Sequence, residues 1–224
     1  NINSASAYFT TPSQLARHRN ITANIKQRAR KHDIILLQET HLNALDTNYL
    51  RYSLPHHNIH YNNGTNNQAG TATIISKHLS RHYIIKHKIL APGHVSVTLF
   101  EPSPASPVQL LPFQVINLYL TTGTNSHQTT KRAELSSTLH LSNNIHTIAA
   151  GDFNFTTSPH DATNHTPLNS ATQTVWEHFI SHFKLHEVHQ PQHTFFRLSD
   201  AHANRSCTSR LDRFYVSHTE ADLT

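Results

Sequence analysis

The sequence predicts an α/β fold in which two packed β-sheets carry helices on their outer faces. Three observations point to it. Short apolar runs rich in β-branched residues recur along the chain, as at 33–38, 70–76, 113–120 and 145–150. Longer stretches with helical spacing, 12–31 and 171–183, are interleaved with them. No internal repeat and no low-complexity linker interrupts the pattern, and 224 residues are enough for one domain with a sizeable core.

Taken in order, residues 1–4 read as the tail of a strand. Thr11-Pro12-Ser13 is a helix-start signal, a capping hydroxyl followed by proline in the first turn. The helix runs to about Lys31, with Leu15, Ile25 and Ala29 on one face. Arg17, Arg19, Lys26, Arg28, Arg30 and Lys31 make it basic, which fits a solvated face or a face turned to DNA. Residues 33–38 are a buried strand ending at Glu39. Residues 58–61, 70–76, 83–89, 95–100 and 113–120 are further strands, separated by polar or proline-bearing turns. A moderate helix is expected over 131–141 and a strand over 145–150. Val175, Trp176, Phe179, Ile180 and Phe183 recur at helical spacing and read as core. The last strands are 194–197 and 210–217.

Composition narrows the function. One cysteine, Cys207, allows no internal disulfide and excludes a cysteine-based zinc site. There is no apolar run of ~20 residues and no signal-peptide pattern at the start. A net charge of +5 fits a polyanionic partner. The 22 histidines are better explained by bias than by metal binding. Gly (5) and Met (0) are scarce as well, which is the mark of a G-poor coding strand. With no methionine and a start inside a strand pattern, residues 1–224 are expected to be a domain excised from a longer chain and truncated at both ends.

The chemistry centres on Gly151-Asp152-Phe153-Asn154. An acid and an amide two residues apart at a strand end should point the same way, because strand side chains alternate. Asp152 can hold a water or a metal, and Asn154 can donate to an anion. By itself such a turn is weak evidence. Other strand ends add Asn1 and Asn3, Glu39, Asp212 and Tyr119. Carboxylates gathered from several strand ends need a cation, and oxygen ligands without cysteine favour a hard ion such as Mg²⁺.

Seven segments, in this order, resemble the endonuclease/exonuclease/phosphatase superfamily: Asn-Ile-Asn at 1–3, IILLQETHL (34–42), AGTATIIS (69–76), INLY (116–119), AAGDFN (149–154), HTFF (193–196) and SRLDRFYVS (209–217). QETHL and the Arg-His-Arg helix before it look most like the apurinic-endonuclease-like domains of non-LTR retrotransposons, of the long interspersed element type. The resemblance implies a DNase I-like four-layer α/β sandwich. It also implies that Glu39 binds the metal beside Asn1, and that Tyr119 contacts the scissile phosphate. Asp152 would orient or activate the attacking water, Asn154 would hold the phosphate, and Asp212 would orient a histidine. Thr194, Ser209 and Asn3 would lie on the DNA-binding face. The implied activity is Mg²⁺-dependent nicking of double-stranded DNA, with Mn²⁺ as a substitute, leaving a 3′-hydroxyl for target-primed reverse transcription. The implied setting is a monomeric nuclear domain beside a reverse transcriptase domain in the same polyprotein, not associated with a membrane.

Two departures from the family pattern stand out. Thr122 occupies a place where many relatives have asparagine. The Ser-Asp-His strand expected after Asp212 does not occur before Thr224, and His218 is too close to Asp212 to replace it, so impaired catalysis is expected of this segment. Competing readings are an abasic-site repair endonuclease and a non-catalytic nucleic-acid-binding remnant. Lipid phosphatases of the same scaffold are disfavoured because no apolar lipid-facing loop is present.

Overall fold

The computed structural model describes residues 12–42, 44–64, 69–122, 127–163, 168–188, 190, 192, 194–197 and 207–217, with side chains in the first helix described from Ile21 onward. They fall into two compact units, Asn1–Tyr119 and Leu120–Thr224. Asn1, Asn3 and His218 lie outside the described residues.

The first unit has three layers. Helices α1 (Pro12–Ala29) and α2 (Ala44–Ser53) cover one face of a sheet formed by β1 (Ile34–Gln38), β2 (His57–Asn62) and β3 (Thr71–Ser76), ordered β1-β3-β2 and antiparallel throughout. The second sheet, β4 (Tyr83–Ala91), β5 (Val95–Pro102) and β6 (Phe113–Tyr119), packs on the other face. The central strand β3 is therefore buried on both faces. Its Ala72 and Ile74 join Ile25, Ala29, Leu50 and Leu54 in the helix-side core. Its Thr73 Oγ1 instead accepts from Asn117 Nδ2 of β6 (3.4 Å). Ile25 and Ala29 face inward as the spacing of α1 requires, while Lys26, Arg28, Arg30 and Lys31 are exposed. Helix α2 has no counterpart in the sequence reading. Its ten residues bury Asp46, Leu50 and, just beyond, Leu54, too short a stripe to register as a period.

The second unit is built on β7 (His146–Asp152), β11 (Asp212–Ser217) and β8 (Leu185–Glu187), with β11 central and antiparallel to both. Helices α3 (Gln128–Ser136) and α4 (Ser170–His182) pack on each other, and α4 on β8. A short pair, β9 (Phe195–Arg197) and β10 (Cys207–Ser209), lies beside them. Asn169 caps α4 by accepting from Thr172 N (2.8 Å). Phe153, Trp176, Phe179 and Tyr215 form the aromatic core, with Phe153 edge-on to both Trp176 and Tyr215.

Helix α3 begins three residues earlier than the sequence reading and stops at Ser136 rather than Leu141. Ser137 Oγ donates to Glu134 O (2.6 Å) and Thr138 Oγ1 to Leu135 O (2.7 Å). These hydroxyls take carbonyls that a continuing helix would use.

Candidate active site

In the first unit the site is built on strand ends. β1 delivers Glu39, whose backbone turns into the left-handed region (φ 52°), as does that of His41 (φ 48°). A glutamate there is uncommon and costs energy that the surroundings must hold. They hold it through main-chain bonds: Thr40 N donates to Gly70 O (3.0 Å), His41 N to Ala69 O (2.9 Å), and Gly70 N to Gly93 O (2.9 Å). Gly93 N in turn donates to Asn62 Oδ1 (2.7 Å). The Glu39 Oε1 accepts from the Tyr119 hydroxyl at 2.7 Å. Tyr119 is itself fixed at both ends of its peptide. Its N–H donates to His94 O (2.8 Å), and His94 Nδ1 donates to its carbonyl (2.7 Å), with the two rings stacked 5.6 Å apart. A carbonyl only accepts, so this bond places the proton on Nδ1. Underneath, Gln38 Nε2 donates to Asn117 Oδ1 (2.8 Å) and Asn117 Nδ2 to Ala72 O (3.1 Å), tying the two sheets together with a wholly buried amide.

Gly70 is required at its position. Its φ is +106°, and a Cβ built there would stand 2.5 Å from Thr40 Oγ1. Gly70→Ala is expected to destabilise the protein by about 1–3 kcal/mol. A urea denaturation midpoint lowered at unchanged slope checks this, and an unaltered midpoint would refute it.

A divalent cation fits the donor chemistry here. Glu39 is a half-buried carboxylate, and beside it Thr40 Oγ1 is buried without a hydrogen-bond partner among the described residues. Among the described residues no group of three or more His, Cys, Asp or Glu is arranged around a metal. Mg²⁺ commonly takes only one or two carboxylates, with water and substrate phosphate completing its shell.

In the second unit β7 runs on through Asp152, two residues past the strand expected from the sequence. Asp152 is 2% exposed, and its Oδ1 accepts from Asn154 N (2.9 Å). The sequence argument placed the acid and the amide on one face of one strand. That is corrected here: the strand ends at Asp152, and Asn154 sits in a left-handed turn (φ 49°). Asparagine tolerates this conformation, and its side chain closes the turn by donating from Nδ2 to Leu120 O (2.8 Å). The Asn154 carbonyl accepts from Lys131 Nζ (2.9 Å). Lys131 is 1% exposed on α3. Burial pushes its pKa down, while the nearby Glu134 and Asp152 carboxylates oppose that shift. Glu134 accepts in its turn from Thr121 N (2.8 Å) and from the Thr121 hydroxyl.

Asp212 opens β11 directly across from Asp152 in the strand register. Thr194 Oγ1 accepts from Leu211 N (3.1 Å) and Asp212 N (3.0 Å), and Thr194 N donates to Ser209 O (3.0 Å). Thr194, Ser209 and Asp212 thus share one corner, with Thr194 exposed and Ser209 buried. Below them lies a buried ionic network. Asp161 Oδ1 pairs with Arg210 Nη2 (2.6 Å) and Nε (3.1 Å), and Asp161 Oδ2 faces Arg213 Nη2 (3.6 Å). Arg210 Nη1 also pairs with Glu187. Asp161 Oδ2 further accepts from the N–H groups of Thr157 and Ser158 (2.9 Å each).

The sequence reading brought out Glu39, Tyr119, Asp152, Asn154 and Asp212. It missed the groups that hold them: His94, Asn117, Lys131 and Asp161. Asn117 left a trace, as an amide inside the apolar run FQVINLYL. Lys131 looked like any other helix-surface lysine.

The model of the endonuclease/exonuclease/phosphatase family matches residues 1–223. The chain belongs to this family. The family and its solved relatives support a hydrolase in general. Among solved structures, the endonuclease domain of TRAS1, a telomere-specific non-LTR retrotransposon, is similar with a TM-score of 0.60 at 12% identity. That match covers 98% of this chain and 85% of that one. The Xenopus laevis APE2 catalytic domain gives 0.61 at 15% identity, over 97% and 81%. Truncated Caenorhabditis elegans TDP2 gives 0.57 at 16%, over 96% and 81%. At these identities the likeness shows the fold, the two-sheet α/β architecture with flanking helices. No curated protein matches the sequence.

Proposed function

We propose that this endonuclease/exonuclease/phosphatase family chain is a Mg²⁺-dependent endodeoxyribonuclease. It nicks one strand of double-stranded DNA and leaves a 3′-hydroxyl primer for a reverse transcriptase domain of the same polyprotein. The observation that carries this reading is the Glu39–Tyr119 bond, a carboxylate at a strand end held at 2.7 Å by a buried phenol, on a backbone forced left-handed. Backbone strain of this kind is retained where geometry matters more than stability.

Each unit supplies its own groups. In the first, Glu39, with Asn1 by the family pattern, would hold Mg²⁺ or Mn²⁺. The Tyr119 hydroxyl donates to Glu39 and keeps one carboxylate oxygen in place. The bound ion would neutralise charge building on the phosphate and stabilise the departing 3′ oxygen. In the second unit, Asp152 Oδ1 is committed to Asn154 N. The Asp152 carboxylate would orient or activate the attacking water by taking its proton. Asn154 Nδ2 carries a second N–H beyond the one given to Leu120 O, and this one can donate to a phosphate oxygen. Asp212, Thr194 and Ser209 are assigned to the DNA-facing corner.

Supercoiled plasmid is expected to become nicked circle with Mg²⁺ or Mn²⁺, at a reduced rate in keeping with the impaired catalysis expected of this segment, and EDTA is expected to stop the reaction. Nicking that persists in EDTA would overturn the metal-dependent reading. The similarity to the APE2 catalytic domain, as high as that to the retrotransposon domain, supports abasic-site repair as a second reading. Cleavage of an abasic duplex much faster than an intact one would favour it.

A further inference from the structure

The first unit carries a strongly basic groove that the proposed hydrolysis does not use. It has a volume of about 570 Å³ and lies where the C-terminal turns of α1 meet the 53–57 segment and the end of β3. Lys26 and Arg30 stand on one wall, one helical turn apart, and Lys77 and Arg81 stand on the other. All four are exposed, and none is ion-paired with a carboxylate among the described residues. His56 and His78 add further donors, and Ala29, Leu54 and Pro55 form an apolar floor. His57 is pinned there by its Nε2 against Ala29 O (3.1 Å). A contiguous groove of about 610 Å³ shares Leu54, Pro55, His57 and Lys77 and extends the basic path to Arg51. Asp33 is the carboxylate nearby, and it accepts from the Ser76 hydroxyl.

The position matters as much as the charge. β1 and β3 are antiparallel, with Ile34 opposite Ile75 and Gln38 opposite Thr71. Glu39 therefore follows one end of these strands, while Ser76 and Lys77 lie at the other. Four side chains of one sign, none paired with a carboxylate among the described residues, raise the local potential and favour a polyanion. Cations on both sides of the groove and on into the contiguous groove at Arg51 suit a polyanionic strand better than one small anion.

We infer that this groove binds the phosphodiester backbone of a nucleic-acid strand at the end of the β1-β3-β2 sheet opposite Glu39. The chemistry is shared by DNA and RNA, since each phosphate contact neutralises one charge and releases counterions.

The test is fluorescence anisotropy with labelled 20-mers of single-stranded DNA, duplex DNA and RNA, in EDTA so that no turnover occurs. K77Q/R81Q is expected to weaken binding at least tenfold at low salt. The slope of log affinity against log salt should fall by about 1.4–1.8 for two lost phosphate contacts. K86Q/K88Q removes the same charge from β4, outside the groove, and is expected to change affinity less than threefold. Equal losses in both variants, or an unchanged salt slope in K77Q/R81Q, would overturn the inference. Whichever probe suffers the larger loss identifies the strand as DNA or RNA. Because binding is read without catalysis, failure here is distinct from failure of the nuclease reading, which the plasmid experiment decides.

Discussion

Glu39→Gln lowers plasmid nicking by about 100-fold or more while leaving thermal unfolding within about 0.5 kcal/mol of the unsubstituted chain. The substitution isolates charge. Glutamine keeps the shape and an amide oxygen that can accept from the Tyr119 hydroxyl, now 2.7 Å from Oε1. It bears the same left-handed backbone cost as glutamate at φ 52°. What it loses is the anion that would hold a divalent cation. The check is a pair of measurements, nicking rate against Mg²⁺ concentration and Mn²⁺ binding without DNA. Unchanged Mn²⁺ affinity together with unchanged nicking would show that Glu39 holds no metal. Binding of DNA without any nicking by either chain would favour the remnant reading.

Asp161→Ala destabilises the protein by about 3–5 kcal/mol, the cost of removing one partner from a buried ion pair. Asp161 is 1% exposed and Arg213 2%, and Arg213 already has Nε and Nη1 buried without hydrogen-bond partners among the described residues. Its guanidinium also lies over the rings of Phe153 and Phe155. Without Asp161 that charge has no carboxylate within ion-pair distance among the described residues. The turn at 157–161 would lose the carboxylate that caps it as well. A loss of less than 1 kcal/mol in urea titration would show that Arg210 and Arg213 find other partners. The same residue sets an acid limit. Burial alone would push its carboxyl up. Hydrogen bonds from Arg210 and Thr157 and the charge of Arg213 more than offset this and hold it at about 2, below the ordinary 3.8. Its folded pKa is depressed, so its contribution to stability is complete above about pH 4. That contribution is lost as pH falls from there towards 2.

How much of this was legible in the sequence depended on how local each feature was. The buried strands showed themselves because the apolar run is itself the cause of the strand: 33–38, 70–76 and 113–120 became β1, β3 and β6 within two residues. Trp176, Phe179 and Phe183 reached the core because helical spacing puts them on one face. Short elements escaped. The three residues of β8 and of β10 contain no period, and they are strands because β11 and β9 pair with them. The GDFN pair was legible as chemistry but misread as geometry. Alternation along a strand was the wrong cause, and a left-handed asparagine was the right one.

The sequence by itself determined the two-sheet α/β class, the family, and that Glu39, Asp152 and Asp212 stand at strand ends. Each of these follows from residue type and spacing along the chain. Only the tertiary structure decided what supports them. His94 stacks on Tyr119, Lys131 holds the Asn154 carbonyl, and Asp161 gathers Arg210 and Arg213 from 49 and 52 positions away. The basic groove likewise joins α1 to the segment after β3, some fifty residues apart in sequence. Such partners are chosen by burial, which makes an unpaired charge or amide costly and binds it to whatever group the fold brings near. That choice is made in space, and no local pattern records it.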